Sequence, residues 1–149
     1  LYTLSLHDAL PIFVAVGDNP QKQSMLTQAQ RVAIIQEVLA AENIPAQVQS
    51  FTGLTVHFAR QVGAAIILRG IRNTTDLHFE LQVALTNRVV AGVETVFIIT
   101  STEYAFTSSS LIKQIAAMGG DVSAMVPPQV LEHLRGLGAL GRADDCIDS

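Results

Sequence analysis

AAIILRGIR, residues 64–72, is the stretch on which the reading turns. Ala64 to Leu68 is apolar at every position, the pattern of a short strand covered on both faces, as in a parallel sheet. Two arginines follow it, Arg69 and Arg72, with Gly70 between them to let the backbone approach a partner closely. In open α/β sheets ligands sit outside the carboxyl ends of the strands. The same few residues therefore suggest a fold class and a site.

On the N-terminal side, Ile12 to Val16 is another apolar run, closed by the turn cluster Gly17-Asp18-Asn19-Pro20. Thr27 with Gln30 forms a capping box for a helix carrying Val32, Ile35, Val38 and Leu39 on one face and ending near Asn43 and Pro45. Ala46 to Phe51 reads as a strand, and Thr55 to Gln61 as a short helix stopped by Gly63. On the other side, Asp76 is placed as the cap of a helix with Leu77, Leu81, Ala84, Leu85 and Val89 as its apolar set, broken at Gly92. Glu94 to Ile99 is a fourth strand. Ser108 caps a helix running through Leu111, Ile112 and Ile115 to Met118, terminated by Gly119-Gly120, and Pro127-Pro128 opens a last helix from Gln129 to about Leu137. Helices between successive strands imply parallel crossovers, so the expected fold is α/β with a doubly wound parallel sheet.

Composition narrows the function classes. The 149 residues are 49% apolar, enough for one domain with a proper core. Nine Lys and Arg against 13 Asp and Glu give a formal charge of −4, which argues against a nucleic-acid partner. The single cysteine, Cys146, allows neither a disulfide framework nor a CxxC site. No apolar run reaches the length of about 18 residues that a membrane span needs. The expectation is a cytoplasmic protein without membrane association.

Arginine offers a rigid fork of donors to phosphate oxygens, so Arg69 and Arg72 are the leading anion ligands. The plainer alternative is that they meet solvent or a carboxylate such as Asp76. Lys22 sits at another strand end, and alone it is as readily a surface lysine. Thr107-Ser108-Ser109-Ser110 opens a helix, where free N–H groups and hydroxyls can hold an anion, although capping needs only Ser108. Glu80 can pair with the arginines or accept from a ligand hydroxyl. Tyr104 and Phe106 can wall a base or fill a core. His57 and His78 stand apart, without metal-ligand spacing. Neither GxGxxG nor GxxxxGK[ST] occurs, and no Ser/His/Asp or cysteine nucleophile is credible. What remains suits a phosphate-bearing ligand whose reaction needs positioning and charge stabilisation.

From about Phe13 to Leu134 the sequence resembles bacterial phosphopantetheine adenylyltransferase, of the Rossmann-like nucleotidyltransferase group. The resemblance rests on NPQKQSMLTQAQR (19–31), SFTGL (50–54), RGIRNTTDLHFELQVALTNR (69–88) and ETVFIITSTEYAFTSSSLIKQIAAMGGDVSAMVPP (94–128), in that order. It implies transfer of the adenylyl group of ATP to 4'-phosphopantetheine, giving dephospho-coenzyme A and pyrophosphate, with Mg²⁺ and without a covalent enzyme intermediate. It places Lys22 near the transferring and accepting phosphates, as the catalytic residue, and Thr55 and Arg69 on the acceptor side. Gly70, Ile71, Arg72 and Glu80 fall on the ATP side, with Tyr104, Ala105, Phe106, Thr107, Ser108, Ser109 and Ser110. Thr55 stands where the family usually has an apolar residue. A homo-oligomer, a hexamer, is also implied. The runner-up readings are an adenylyltransferase for another phosphorylated acceptor, such as a nicotinamide or glycerol derivative, and a non-catalytic nucleotide-binding module.

The family's opening strand, its threonine and its Gly-His pair have no counterpart here. Thr3 and His7 are four apart, with no glycine before the histidine, and take no catalytic role. The expected organisation is a foreign segment over residues 1–12, one nucleotidyltransferase domain over 13–137 lacking the first strand and helix, and a loose tail over 138–149. A chain so organised is expected to turn over little or no substrate.

Overall fold

The computed structural model describes residues 11–18, 24–101 and 107–138. Among them strands and helices alternate as the sequence implies. They are β1 Ile12–Gly17, α1 Gln28–Ala41, β2 Ala46–Phe51, α2 Thr55–Gln61, β3 Ile66–Ile71, α3 Thr74–Ala91, β4 Glu94–Ile99, α4 Ser109–Ala117 and α5 Pro128–Gly136. Residues 1–10 and 139–149, which make up nearly all of the opening segment and the tail, lie outside the described residues. The helices among the described residues include none long and apolar enough to cross a membrane.

The chain divides into two compact units, one containing the residues up to Gly53 and those from Lys113 onward, the other Leu54–Ile112. In the first, β1 and β2 pair in parallel from Ile12↔Ala46 to Gly17↔Phe51, joined through α1. The Thr27 capping box is formed as expected. The hydroxyl accepts from the Gln30 amide, and the Gln30 side chain accepts from the Thr27 amide. The first turns of α1 then tie the two strand ends. Gln28 Nε2 donates to the carbonyls of Val16 and Phe51, both at 3.0 Å, and Arg31 Nη1 donates to Gly17 at 3.1 Å. Ile34 is the buried residue of α1, beside the apolar face read from Val32, Ile35, Val38 and Leu39, which are themselves half-buried.

In the second unit, β3 and β4 pair in parallel from Ile66↔Glu94 to Ile71↔Ile99, joined through α3. Its core gathers Val56 and Ala59 of α2 with Ala91 and Val93, and Ala64 and Ile67 pack against them. Arg60 Nη2 donates to the Ala91 carbonyl at 2.7 Å and so fastens α2 to the end of α3. Gly92 closes α3 in the left-handed region at φ 65°, where a side chain would be strained.

Four expectations are corrected here. The strand after Ala64 starts at Ile66 and runs on through Arg69, Gly70 and Ile71, because their backbones pair with Phe97, Ile98 and Ile99 whatever their side chains are. The strand is also not covered on both faces, since Ile66 and Leu68 are exposed beside Val96 and Ile98. Helix α3 is capped by Asn73, whose side chain accepts from the Asp76 amide at 2.9 Å, while the Asp76 carboxylate is engaged elsewhere. Finally, Leu77, Leu81, Leu85 and Val89 are exposed. The inward face of α3 is carried by Glu80, Val83, Ala84, Asn87 and Ala91.

Candidate active site

The site residues in the second unit radiate from the end of β3. Alternation along the strand puts Ile67, Arg69 and Ile71 on one side and Leu68 and Gly70 on the other. Arg69 lies over α3 and grips Glu80 with both edges of its fork. Nε donates to Oε2 at 2.9 Å, and Nη2 donates to Oε1. Glu80 is the enclosed partner, with its side chain 12% exposed against 50% for Arg69. The Glu80 hydrogen bonds hold the Arg69 guanidinium above its ordinary pKa, so it stays charged.

Past the strand, Arg72 turns to the first turn of the same helix. Nε donates to Asp76 Oδ2 at 2.8 Å and Nη2 to Oδ1 at 3.3 Å. Its third edge, Nη1, donates to the Thr107 carbonyl at 2.8 Å. The pair shifts both groups apart: the hydrogen bond from Arg72 lowers the Asp76 carboxyl, and the bond to Asp76 raises the Arg72 guanidinium. Both arginines thus have carboxylate partners, Glu80 for Arg69 and Asp76 for Arg72.

A cavity of about 100 Å³ opens beside Arg69. Thr55, Arg69, Glu80, Asn87 and Thr95 supply its polar groups and Ile67, Phe79, Val83 and Ala84 its apolar wall. Thr55 enters from the first residue of α2, so the two residues placed on the acceptor side share one cavity. Glu80, placed on the ATP side, lines it too. Asn87 and Thr95 were not singled out in the sequence. The signals were there: Asn87 lies seven residues beyond Glu80 on the same helical face, and the register puts Thr95 opposite Ile67. Thr95 Oγ1 is buried and has no hydrogen-bond partner among the described residues.

At the start of α4 the Ser108 hydroxyl accepts from the Leu111 amide at 3.1 Å, the expected cap, and its carbonyl accepts from the Ile112 amide. Ser109 and Ser110 are exposed in the first turn, with hydroxyls beyond what the cap requires. Gly70 was expected to permit a close approach. A Cβ there would meet only Thr100 Cγ2 at 3.5 Å, an ordinary contact, so no described protein atom demands glycine. The Ile71 carbonyl accepts from the amide and hydroxyl of Thr100, at 3.0 and 3.3 Å. Lys22, Tyr104, Ala105 and Phe106 lie outside the described residues.

A parallel βαβ unit with two arginine forks at the strand end and a serine-rich helix start beyond them can position phosphates without a protein nucleophile. Comparison with known proteins gives this geometry its family. A cytidylyltransferase-like family model matches residues 3–115. A phosphopantetheine adenylyltransferase of Synechococcus elongatus is 50% identical over 125 residues, 83% of this chain and 74% of the relative. The chain belongs to the phosphopantetheine adenylyltransferase family. Proteins of the same name from Alkaliphilus metalliredigens and Heliobacterium modesticaldum are 43% and 46% identical over 125 residues each, 83% of this chain and 78% and 73% of those relatives. The alternating order and parallel strands are those of a Rossmann-like nucleotidyltransferase fold.

Proposed function

We propose that this chain is a pantetheine-phosphate adenylyltransferase, joining ATP and 4'-phosphopantetheine into dephospho-coenzyme A and pyrophosphate. A phosphate oxygen of the acceptor attacks the α-phosphorus of ATP. The bond from that phosphorus to the α,β-bridging oxygen breaks, and pyrophosphate leaves with the electron pair. The observation that carries the reading is the divergence of the two forks within a chain of this family. Arg69 lies in a cavity with Thr55, on the acceptor side, and Arg72 is bonded to the residue that precedes the serine-rich start of α4. Gly70, Ile71, Arg72, Thr107, Ser108, Ser109 and Ser110 take the nucleotide, with Glu80 at the junction. Lys22 takes its role toward the phosphates, and Tyr104–Phe106 theirs toward ATP, from the family resemblance alone. Fixed donors at strand and helix ends stabilise charge as it shifts from the α-phosphorus to the leaving pyrophosphate.

Mg²⁺ belongs to the family reaction, but the described residues do not fit a protein-held ion. They contain no group of three or more His, Cys, Asp or Glu able to hold one. The two carboxylates at the site, Asp76 and Glu80, are each taken by an arginine. A magnesium ion here would be carried mainly by triphosphate oxygens and water. A homo-oligomer is part of the same reading. The exposed apolar residues Leu77, Leu81, Leu85 and Val89 of α3 supply surface of the kind subunit interfaces bury, and sedimentation velocity gives the state.

The test is calorimetric titration of the chain with ATP and with 4'-phosphopantetheine, alongside pyrophosphate release when both are supplied. Binding of both ligands is the expected result, with little or no pyrophosphate released, because the sequence has no match to the family's threonine and Gly-His pair. Release with nicotinamide mononucleotide and not with phosphopantetheine reassigns the acceptor. Failure to bind either nucleotide or acceptor overturns the reading.

A further inference from the structure

The start of α4 is held by more than its own cap. Arg72 uses three edges of its guanidinium on protein atoms, two on Asp76 and one on the Thr107 carbonyl. Asp76 is itself fixed in the first turn of α3, where its amide donates to the Asn73 cap. A continuous chain of hydrogen bonds therefore runs Asn73–Asp76–Arg72–Thr107 and ends one residue before Ser108, which caps α4. The ends of this chain are 35 residues apart in sequence at the Arg72–Thr107 bond, so local propensity alone does not bring them together. The chain ties the first turns of two helices to the same strand end.

We infer that Asp76 is a positioning residue: by holding Arg72 in its fork it fixes the Thr107 carbonyl and sets the first turn of α4, where Ser108, Ser109 and Ser110 meet the nucleotide phosphates. The inference rests on the proposed function for its ligand, and on geometry alone for the strut. Asp76 touches neither substrate nor reacting atoms. It acts through Arg72. A free arginine at this place would sample many rotamers, and the carbonyl it holds would be left to solvent. Asn73 caps α3 because it precedes the first helical residue, Thr74, whereas Asp76 lies inside the first turn, where its carboxylate is committed to the guanidinium.

Asp76→Asn in the full chain keeps size and the Asn73 contact to the backbone amide but replaces one accepting oxygen with a donor facing Nη2. Two readouts decide the matter. The first is hydrogen exchange at the Leu111 and Ile112 amides, which bond to Ser108. They should exchange about tenfold faster, the loss expected for one charge-assisted hydrogen bond, while β4 amides stay unchanged. The second is ligand affinity. The Kd for ATP should rise about tenfold, and the Kd for 4'-phosphopantetheine, held in the Arg69 cavity, should stay within about twofold. Asp76→Glu should restore part of both effects, and in an Arg72→Gln background Asp76→Asn should add nothing.

Unchanged exchange at Leu111 and Ile112 overturns the inference. Equal loss of both ligands, or a full additional loss in the Arg72→Gln background, does the same, because Asp76 would then act on stability and not through Arg72. If the parent chain binds no ATP, the proposed function fails, and the exchange measurement by itself still decides whether the strut exists.

Discussion

Replacing Arg69 with alanine should harm the second unit more than neutralising the glutamate it holds. The reason is the unequal exposure of the two partners, 50% for the arginine side chain and 12% for the glutamate. Exposed ion pairs contribute about 0–1 kcal/mol, because water solvates either charge when its partner is removed. Removing one partner of a fully buried pair costs about 3–5 kcal/mol, because the other is stranded. Arg69→Ala strands Glu80 against Ile67, Phe79, Val83 and Ala84, so its cost should fall between these ranges, at about 2 kcal/mol. Glu80→Gln leaves Arg69 half in water with an amide oxygen still accepting, and should cost less than about 1 kcal/mol.

The asymmetry predicts a rescue. In the double variant Arg69→Ala/Glu80→Gln the stranded charge is gone, so the pair should be more stable than Arg69→Ala alone by about 1 kcal/mol. Urea unfolding followed by a probe in the second unit reads this as midpoints, with slopes unchanged between variants. A slope of about 1–3 kcal/mol per molar makes the rescue a midpoint shift of about 0.3–1 M. Equal, small costs for the two single variants, with simple additivity in the double, would refute the reasoning. They would show the Arg69–Glu80 contact to be a screened surface pair and the cavity wall to be wet.

Three further outcomes are expected. Arg72→Ala should weaken ATP binding at least about tenfold in calorimetry, since it removes both a cation and the bond to Thr107; unchanged affinity would remove Arg72 from the nucleotide side. Thr27→Ala deletes half of a formed capping box and should lower the stability of the first unit by about 1 kcal/mol in urea titration. Asp76, lowered below its ordinary 3.8 by Arg72, contributes stability that is complete above that value and is lost as the pH falls through its lower folded value. The gap in urea midpoint between the parent and Asp76→Asn should therefore be present near neutrality and close in strong acid.

Local signals were legible and longer-range ones were not. The Thr27 box, the extent of α2 at Thr55–Gln61 and the Ser108 cap each depend on residues within one turn, and each formed where the sequence placed it. The end of β3 was misplaced because Arg69 and Gly70 break an apolar run, whereas strand pairing is made by backbone atoms and continues to Ile71. The face of α3 was misread for a related reason. Leu77, Leu81, Leu85 and Val89 repeat every four residues and so mimic an inward stripe, while the face that meets the sheet carries Glu80 and Asn87. Hydrophobic patterning finds faces that fill with apolar atoms. It is blind to one that lines a polar cavity, so Asn87 was missed.

The charge balance of the site is the point on which sequence and structure diverge most usefully. RGIR suggests two bare cations, yet Asp76 and Glu80, four residues apart on α3, each occupy one of them. One helical turn separates the two carboxylates, as it must if two forks from one strand end are to be held by a single helix. The cluster is then neutral in formal charge, and phosphate attraction cannot rest on net positive charge there. It must come from donors still free on each guanidinium and from the amides and hydroxyls at the start of α4. Arg69 spends two of its five N–H donors on Glu80, and Arg72 spends three on Asp76 and Thr107. Arg69, with more donors left and half of its side chain in water, is the better placed to meet a mobile phosphate. Arg72 has less to offer a ligand and more to hold in place. Two arginines three residues apart, alike in sequence, are thereby set to different work by which carboxylate each one finds.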